Sequence, residues 1–183
     1  MSDRQNNYPL GQYATADELP HLLGQEGIFA DVNHSSSENV KPELSGMSVV
    51  AMWVRNGSGG ALLPSTGVVW STTTGEVGIE VSGAGGADVD WAGIVDPHLP
   101  AAGVPNGSHF WIIRNGPAKV IHDGDDTIVA GDLLVAGADG KVDKYSGAAT
   151  AATEPISVVG RAIETPSANT DGTKFRALVN FRF

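Results

Sequence analysis

The chain has 183 residues, of which 24 are glycine and 10 are proline, and charged residues make up only 17%. A charged fraction below the usual ~25% excludes a coiled coil or a charged helix bundle. The formal net charge is −10, and the sequence contains no run of basic residues. Because phosphate binding requires clustered lysine and arginine, we expect no nucleic-acid partner, and the negative charge also disfavours an anionic membrane surface.

The chain contains no cysteine, which excludes disulfides, thiol catalysis and cysteine-ligated zinc. The first thirty residues are polar and lack the apolar segment of a signal peptide. The longest apolar runs have the length of a β-strand, so we expect no membrane-spanning segment.

The N-terminal quarter differs in composition from the rest. Residues 1–45 are rich in Asn, Gln, Ser, Asp and Glu, so we predict an extended N-terminal arm followed by a β-domain over 46–183. Thr15 to Leu23 has the signature of a short helix, with Thr15 as N-cap and Glu18 completing a capping box, although Pro20 falls inside it. A partly disordered tail and an arm that orders against a neighbouring subunit both fit this composition.

From Met47 onward, short β-branched and apolar runs alternate with turn residues. About ten short strands with turn signals every 8–12 residues predict an all-β fold, either a β-sandwich or a β-barrel. The absence of amphipathic helices between the strands excludes a βαβ architecture. The predicted strands are Met47–Arg55, Gly67–Thr74, Val77–Val81, Trp91–Val95, Ser108–Asn115, Ala118–His122, Thr127–Ala130, Leu133–Ala136, Lys141–Lys144, Ser157–Glu164 and Lys174–Phe183.

Two of these runs carry further information. Ser108–Asn115 is apolar on both faces, which predicts a central strand buried on both sides. The last run, Lys174–Phe183, alternates with period two, which predicts one buried and one exposed face. The residues on its predicted buried face are Phe175, Ala177, Val179, Phe181 and Phe183. Residues 82–87 and 146–155 are predicted to be loops.

The sequence contains no recognisable catalytic motif. A nucleophile elbow, a P-loop and a His-Glu-x-x-His helix are all missing, and Gly83-Ala84-Gly85-Gly86 lacks the dinucleotide-binding spacing. The five histidines do not have metal-ligand spacing. His109 and His122 could become neighbours across paired strands, but hydrogen-bonded or surface histidines are the favoured interpretation. We therefore predict a protein that is not an enzyme and that holds no cofactor and no metal.

Two further groups have competing interpretations. The run Asp123-Gly124-Asp125-Asp126 fails the EF-hand pattern and is interpreted as an acidic hairpin turn, with weak calcium binding as the alternative. All four tryptophans, at positions 53, 70, 91 and 111, lie in predicted strands, where core packing is favoured over a sugar-binding face.

The order of motifs over residues 91–164 is distinctive. Phe110-Trp111-Ile112-Ile113 is followed by Gly116-Pro117-Ala118, then by Ala130-Gly131-Asp132-Leu133-Leu134, by Asp139-Gly140-Lys141-Val142 and by Val159-Gly160-Arg161-Ala162-Ile163-Glu164. This series resembles the capsid decoration, or cement, proteins of tailed bacteriophages. The resemblance covers roughly half of the chain.

The resemblance implies a structural virion protein that binds the outer surface of an icosahedral phage capsid and cements neighbouring major capsid subunits. Its partners would be the major capsid protein and itself, as a homotrimer or, as second choice, a dimer. It would be made in the host cytoplasm. The alternative is a carbohydrate- or receptor-binding β-module of a viral or cell-surface protein, for which we expect exposed tryptophans and calcium at Asp123, Asp125 and Asp126.

The arm supplies the candidate capsid-binding residues. Its apolar side chains belong to a segment too polar to form its own core, so a partner protein is a reasonable place to bury them. The alternative is that they pack back on the β-domain. The candidates are Tyr8, Leu10, Tyr13, Leu22, Leu23, Ile28 and Phe29.

Overall fold

The computed structural model describes residues 10–18, 20–33, 41–42, 47–72, 79–87, 89–146 and 158–181. Within these ranges the regular structure consists of β-strands and one turn of 3₁₀ helix at Ala138–Gly140, which confirms the all-β prediction. The strands are β1 (Tyr13–Ala14), β2 (Glu26–Ala30), β3 (Val32–Asn33), β4 (Lys41–Pro42), β5 (Ser48–Asn56), β6 (Gly67–Trp70), β7 (Glu80–Ala84), β8 (Gly93–Val95), β9 (His109–Ile121), β10 (Leu133–Ala136), β11 (Val142–Lys144), β12 (Val158–Ala162) and β13 (Lys174–Asn180).

Eleven of these strands form one sheet in the order β11-β10-β12-β13-β9-β8-β6-β7-β5-β2, with β1 paired to β9. Because β5 also pairs with β9, the strands β9, β8, β6, β7 and β5 close into a ring. The strands β13, β12, β10 and β11 extend from the ring through β9. The observed architecture is therefore a small closed ring of strands with a sheet extension.

The two central strands, β5 and β9, separate two hydrophobic cores. In β5 and in the first half of β9, even-numbered side chains such as Met52 and Ile112 enter one core, and odd-numbered ones such as Trp53 and Trp111 enter the other. This alternation follows from the two-residue period of a strand. Burial of Ser108–Asn115 on both faces is thereby confirmed, apart from Asn115, which is exposed.

The strand β9 runs without interruption through Gly116 and Pro117, where the sequence predicted a turn between two strands. Pro117 cannot donate a hydrogen bond, so a central position would normally exclude it. Here the pairing with β5 ends at Asn115, and Pro117 lies opposite Leu178 of β13. The backbone of Gly116 has φ of 105°, which lets the chain pass from one partner strand to the other.

Other predicted segments also differ from the observed ones. The segment 127–130 is irregular, because its amides donate to side chains rather than to a strand: Ile128 N–H donates to Asn169 Oδ1 at 3.1 Å, and Ala130 N–H donates to Thr165 Oγ1 at 3.0 Å. The strand β7 extends into the predicted loop 82–87, since Ala84 pairs with Val68. Residues 147–155 of the other predicted loop lie outside the described residues.

The last strand follows its predicted pattern over its described residues. Phe175, Ala177 and Val179 are at most 1% exposed, and Phe181, which is partly buried, packs against the same core. Phe183 lies outside the described residues.

The described part of the predicted arm is integrated into the sheet. Tyr13 pairs with Phe110, and Ile28 pairs with Val50. An ion pair between Asp31 and Arg176 adds a contact with β13. The division between residues 45 and 46 stays a prediction.

The predicted helix over Thr15 to Leu23 is wrong for the residues that the structure describes, which form turns. The capping-box contact exists all the same, because the Glu18 carboxylate accepts from Thr15 N–H at 3.2 Å. Pro20 interrupts the continuation of a helix. The turn is held by His109, whose Nδ1–H donates to the carbonyl of Glu18 at 3.0 Å. No helix of a length and apolarity suited to crossing a membrane occurs among the described residues.

Candidate protein-binding surface

The structure separates the seven candidate residues into three groups. Tyr8 lies outside the described residues. Four of the others contact the β-domain: Leu10 is 1% exposed in the larger core, and Leu23, Phe29 and Tyr13 are partly buried and pack against the cores. Leu22 and Ile28 are 80% and 76% exposed, the largest values among the exposed large apolar side chains of the described residues. These two are available to a partner.

Ile28 lies on β2, which is the last strand of the sheet on its side. The carbonyl of Gln25 accepts from Trp53 N–H at 2.9 Å, and Asp31 N–H donates to Met47 O at 3.2 Å. Odd-numbered residues of this segment thus direct their backbone groups to β5. Because a strand alternates, the backbone groups of Glu26, Ile28 and Ala30 point to the opposite side, where the described chain places no strand. We call these three residues the β2 edge.

A cleft of about 330 Å³ lies beside the β2 edge. Its apolar part is formed by Phe29 and Trp111, whose rings meet edge to face with centroids 5.0 Å apart. Gly27 allows this arrangement, since a Cβ atom there would lie 2.8 Å from the Phe29 ring. The lining residues are His21, Gln25, Glu26, Gly27, Ile28, Phe29 and Trp111.

His21 lines the cleft and is itself almost fully buried. Its side chain packs between Trp53 and Trp111, with ring centroids 5.1 and 5.0 Å away, and the residue is 5% exposed. Burial lowers the pKa of His21, so the imidazole is neutral at pH 7. Its Nε2 atom is buried and has no hydrogen-bond partner within the described ranges. An unpaired buried nitrogen costs on the order of 1–3 kcal/mol.

A second cleft, of about 500 Å³, lies between the turn at Gly57 and the start of β9. Its charged groups neutralise each other, because the Arg55 guanidinium donates to the Glu80 carboxylate at 2.6 Å. Asn106 is also engaged, since its Oδ1 accepts from Gly59 N–H at 2.8 Å. The charged groups of this cleft are therefore already paired within the fold.

The acidic run forms a tight turn in which Asp125 N–H donates to Asp123 Oδ1 at 3.2 Å. Burial is the main cause that raises the pKa of Asp123, and the neighbouring Asp125 adds to it. Within the described part of the chain, no group of three or more His, Asp or Glu residues has the arrangement of a metal site.

The tryptophans lie mainly inside the domain, as predicted. Trp53, Trp91 and Trp111 are at most 3% exposed, and Trp70 is partly buried with the Arg114 guanidinium 5.6 Å from its ring centroid. A sugar-binding face requires exposed, coplanar aromatic rings, which these four tryptophans do not provide.

Sequence reasoning did not identify the cleft. A single histidine such as His21 has no neighbouring residues at the spacing of a known motif. Trp111 was predicted to be a core residue, and it is buried. The strand β2 was also missed, because Glu-Gly-Ile-Phe-Ala does not alternate polar and apolar residues, and its alternation of exposed and partly buried side chains appears only in the structure. The polar composition around this short segment concealed it.

No family model matches the chain, and no curated protein matches it either. Among solved structures, the chain is similar to the N base of the head fiber protein gp8.5 of bacteriophage phi29. The two share 16% sequence identity with a TM-score of 0.48, over 72% of this chain and 94% of that chain. The similar structure thus belongs to a phage head protein. At that identity and TM-score we draw no functional conclusion from the similarity.

Proposed function

We propose that this protein is a structural component of a tailed-phage virion that binds the outer capsid surface and cements neighbouring major capsid subunits. The observation that carries the proposal is the pair of exposed apolar side chains, Leu22 and Ile28, beside a strand edge that no other described strand covers. Such a feature is a binding site or an aggregation hazard in a monomer. The motif series over residues 91–164 indicates the class of partner.

The fold suits a protein that holds its partners together by binding alone. Its N-terminal segment is fastened to the domain at several points, which include the Asp31–Arg176 ion pair and the hydrogen bond from Gly11 N–H to the Asp96 carboxylate. A load at β2 is therefore transmitted to the domain instead of being absorbed by a loose arm. Self-association as a homotrimer, or as a dimer, would multiply the contacts and raise the avidity for a shell.

The charge distribution favours a protein partner over a nucleic acid. The net charge is −10. Several of the basic side chains are engaged in ion pairs, among them Arg55 with Glu80, Lys141 with Asp171, and Lys144 with Asp132. An acidic protein whose cations are paired is poorly suited to phosphate backbones.

The test is binding to capsid shells of the encoding phage that lack this protein. The double variant Leu22→Ser, Ile28→Ser should bind at least roughly tenfold more weakly, because each buried Leu or Ile contributes about 1.5–3 kcal/mol. A control variant, Leu63→Ser with Val129→Ser, removes side chains that are 52% and 44% exposed elsewhere and should bind normally.

Wild-type protein that fails to bind shells, or a double variant that binds as well as wild type, would contradict the proposal. Truncation of residues 1–30 is a poorer test, because it removes β1, β2 and the buried Leu10 and so disturbs the larger core.

A further inference from the structure

We propose that the β2 edge binds an extended segment of the capsid protein by strand addition, with a large apolar side chain of that segment in the cleft formed by His21, Phe29 and Trp111. This inference rests on the proposed function and specifies how the contact is made. In strand addition, main-chain hydrogen bonds supply affinity and a pocket beside the strand supplies specificity.

The β2 edge offers the required main-chain groups. The N–H and C=O groups of Glu26, Ile28 and Ala30 point away from β5, and β5 is the strand that pairs with β2 in the described sheet. Three residues with free groups can form several new hydrogen bonds with a partner strand. The edge also lacks the proline, lysine or bulge that usually protects such strands.

The cleft offers a place for one side chain of the added strand. Because Gly27 has no side chain, the Phe29 ring lies close to its backbone, and a partner residue opposite Gly27 would contact the exposed part of this ring. His21, which is 5% exposed, also lines the cleft. A large apolar side chain of the added strand therefore suits this site.

Charge favours the capsid protein over a second copy of this chain. Glu26 is exposed at the edge, and each molecule carries a net charge of −10. Antiparallel pairing of two β2 edges centred on Ile28 would set the exposed Glu26 of each copy opposite Ala30 of the other, where it meets no cation. A partner segment with a basic residue near Glu26 forms a complementary pair instead.

The experiment compares Ile28→Pro with Ile28→Val in binding to shells that lack the protein. Proline removes the outward N–H of residue 28 without removing a hydrogen bond of the fold, whereas valine keeps the N–H and an apolar side chain. We expect Ile28→Pro to weaken binding about tenfold or more and Ile28→Val to change it by about threefold or less. Equal melting temperatures of the two variants would show that both fold.

Hydrogen exchange of the wild-type protein supplies a readout that needs no variant. On binding to shells, the amides of Glu26, Ile28 and Ala30 should become protected, while those of Gly27 and Phe29, which face β5, should change little. Plain apolar contact through Leu22 and Ile28 would not produce this alternation.

Shell binding that is insensitive to Ile28→Pro, or that leaves the three outward amides unprotected, would overturn strand addition while leaving the proposed function standing. Wild-type protein that does not bind shells at all would overturn both. An Ile28→Pro variant that sediments as a smaller species than wild type, without shells, would assign the edge to a second copy and likewise overturn the inference.

Discussion

The indole ring of Trp91 lies in a slot between two glycines. A Cβ atom on Gly67 would come within 2.2 Å of the ring, and one on Gly85 within 2.0 Å. The indole Nε1–H donates to the carbonyl of Gly86 at 3.1 Å, which fixes the ring in this position. Part of the high glycine content therefore serves close approach to an aromatic core residue, in addition to turns.

This slot gives a prediction for single substitutions. Gly67→Ala should lower the free energy of unfolding by about 3 kcal/mol or more, because the added methyl group must displace a large buried ring. Gly60→Ala is the matched control, since no atom lies within 4 Å of its Cβ position, and should change stability by about 0.5 kcal/mol or less. Urea denaturation of the two variants measures both effects. Similar midpoints for both would contradict the account of the slot.

At the scale of elements, Asp96 connects the N-terminal segment to the end of β8. The carboxylate is buried and accepts from Gly11 N–H at 2.5 Å and from His98 N–H at 2.9 Å. Burial raises the pKa of Asp96 to about 6, against an ordinary value of 3.8, and the two hydrogen bonds oppose this effect. A carboxyl group inside the fold thus joins two segments that lie 85 residues apart.

The raised pKa of Asp96 predicts a pH-dependent contribution to stability. The folded state holds the proton more tightly than the unfolded state, so this group stabilises the fold fully below about pH 4 and loses that effect as the pH rises through about 6. The contribution of Asp96 to the free energy of unfolding is thus about 3 kcal/mol larger below pH 4 than above pH 6.

Asp96→Asn removes the titration. The stability of wild type relative to this variant should therefore fall between pH 4 and pH 7, which urea midpoints at each pH would measure. If the stability difference between wild type and Asp96→Asn stays constant or grows from pH 4 to pH 7, the pKa of Asp96 is not raised in the folded state.

The elements show how far the sequence determined the fold. The runs that became β5, the first half of β9, and β13 were predictable, because their own side chains alternate or are apolar on both faces. Glu26–Ala30 was not predicted as a strand, because its strand conformation depends on pairing with β5. The cleft could not be predicted either, since His21 meets Trp53 and Trp111 only after the sheet has formed.

At the scale of the whole molecule, the two cores are not independent. Both are lined by β5 and β9, with Met52 and Ile112 on one side and Trp53 and Trp111 on the other. Loss of either strand would expose both cores at once, so they should unfold together.

We therefore predict a single calorimetric unfolding transition whose van't Hoff and calorimetric enthalpies agree. Met52→Ala, which creates a cavity in the smaller core, should shift the entire transition to lower temperature without splitting it. A separate low-temperature peak in this variant would show that the cores unfold independently.

The long strand β9 also has a mechanical consequence. It pairs over seven positions with β13 and over six with β5, so a pull directed along its axis would load these hydrogen bonds simultaneously, in shear. A pull across the sheet, directed outward at β11, would instead open the three pairs between β10 and β11 one after another. Resistance to tension should therefore depend on direction and should be greatest for a force directed along β9.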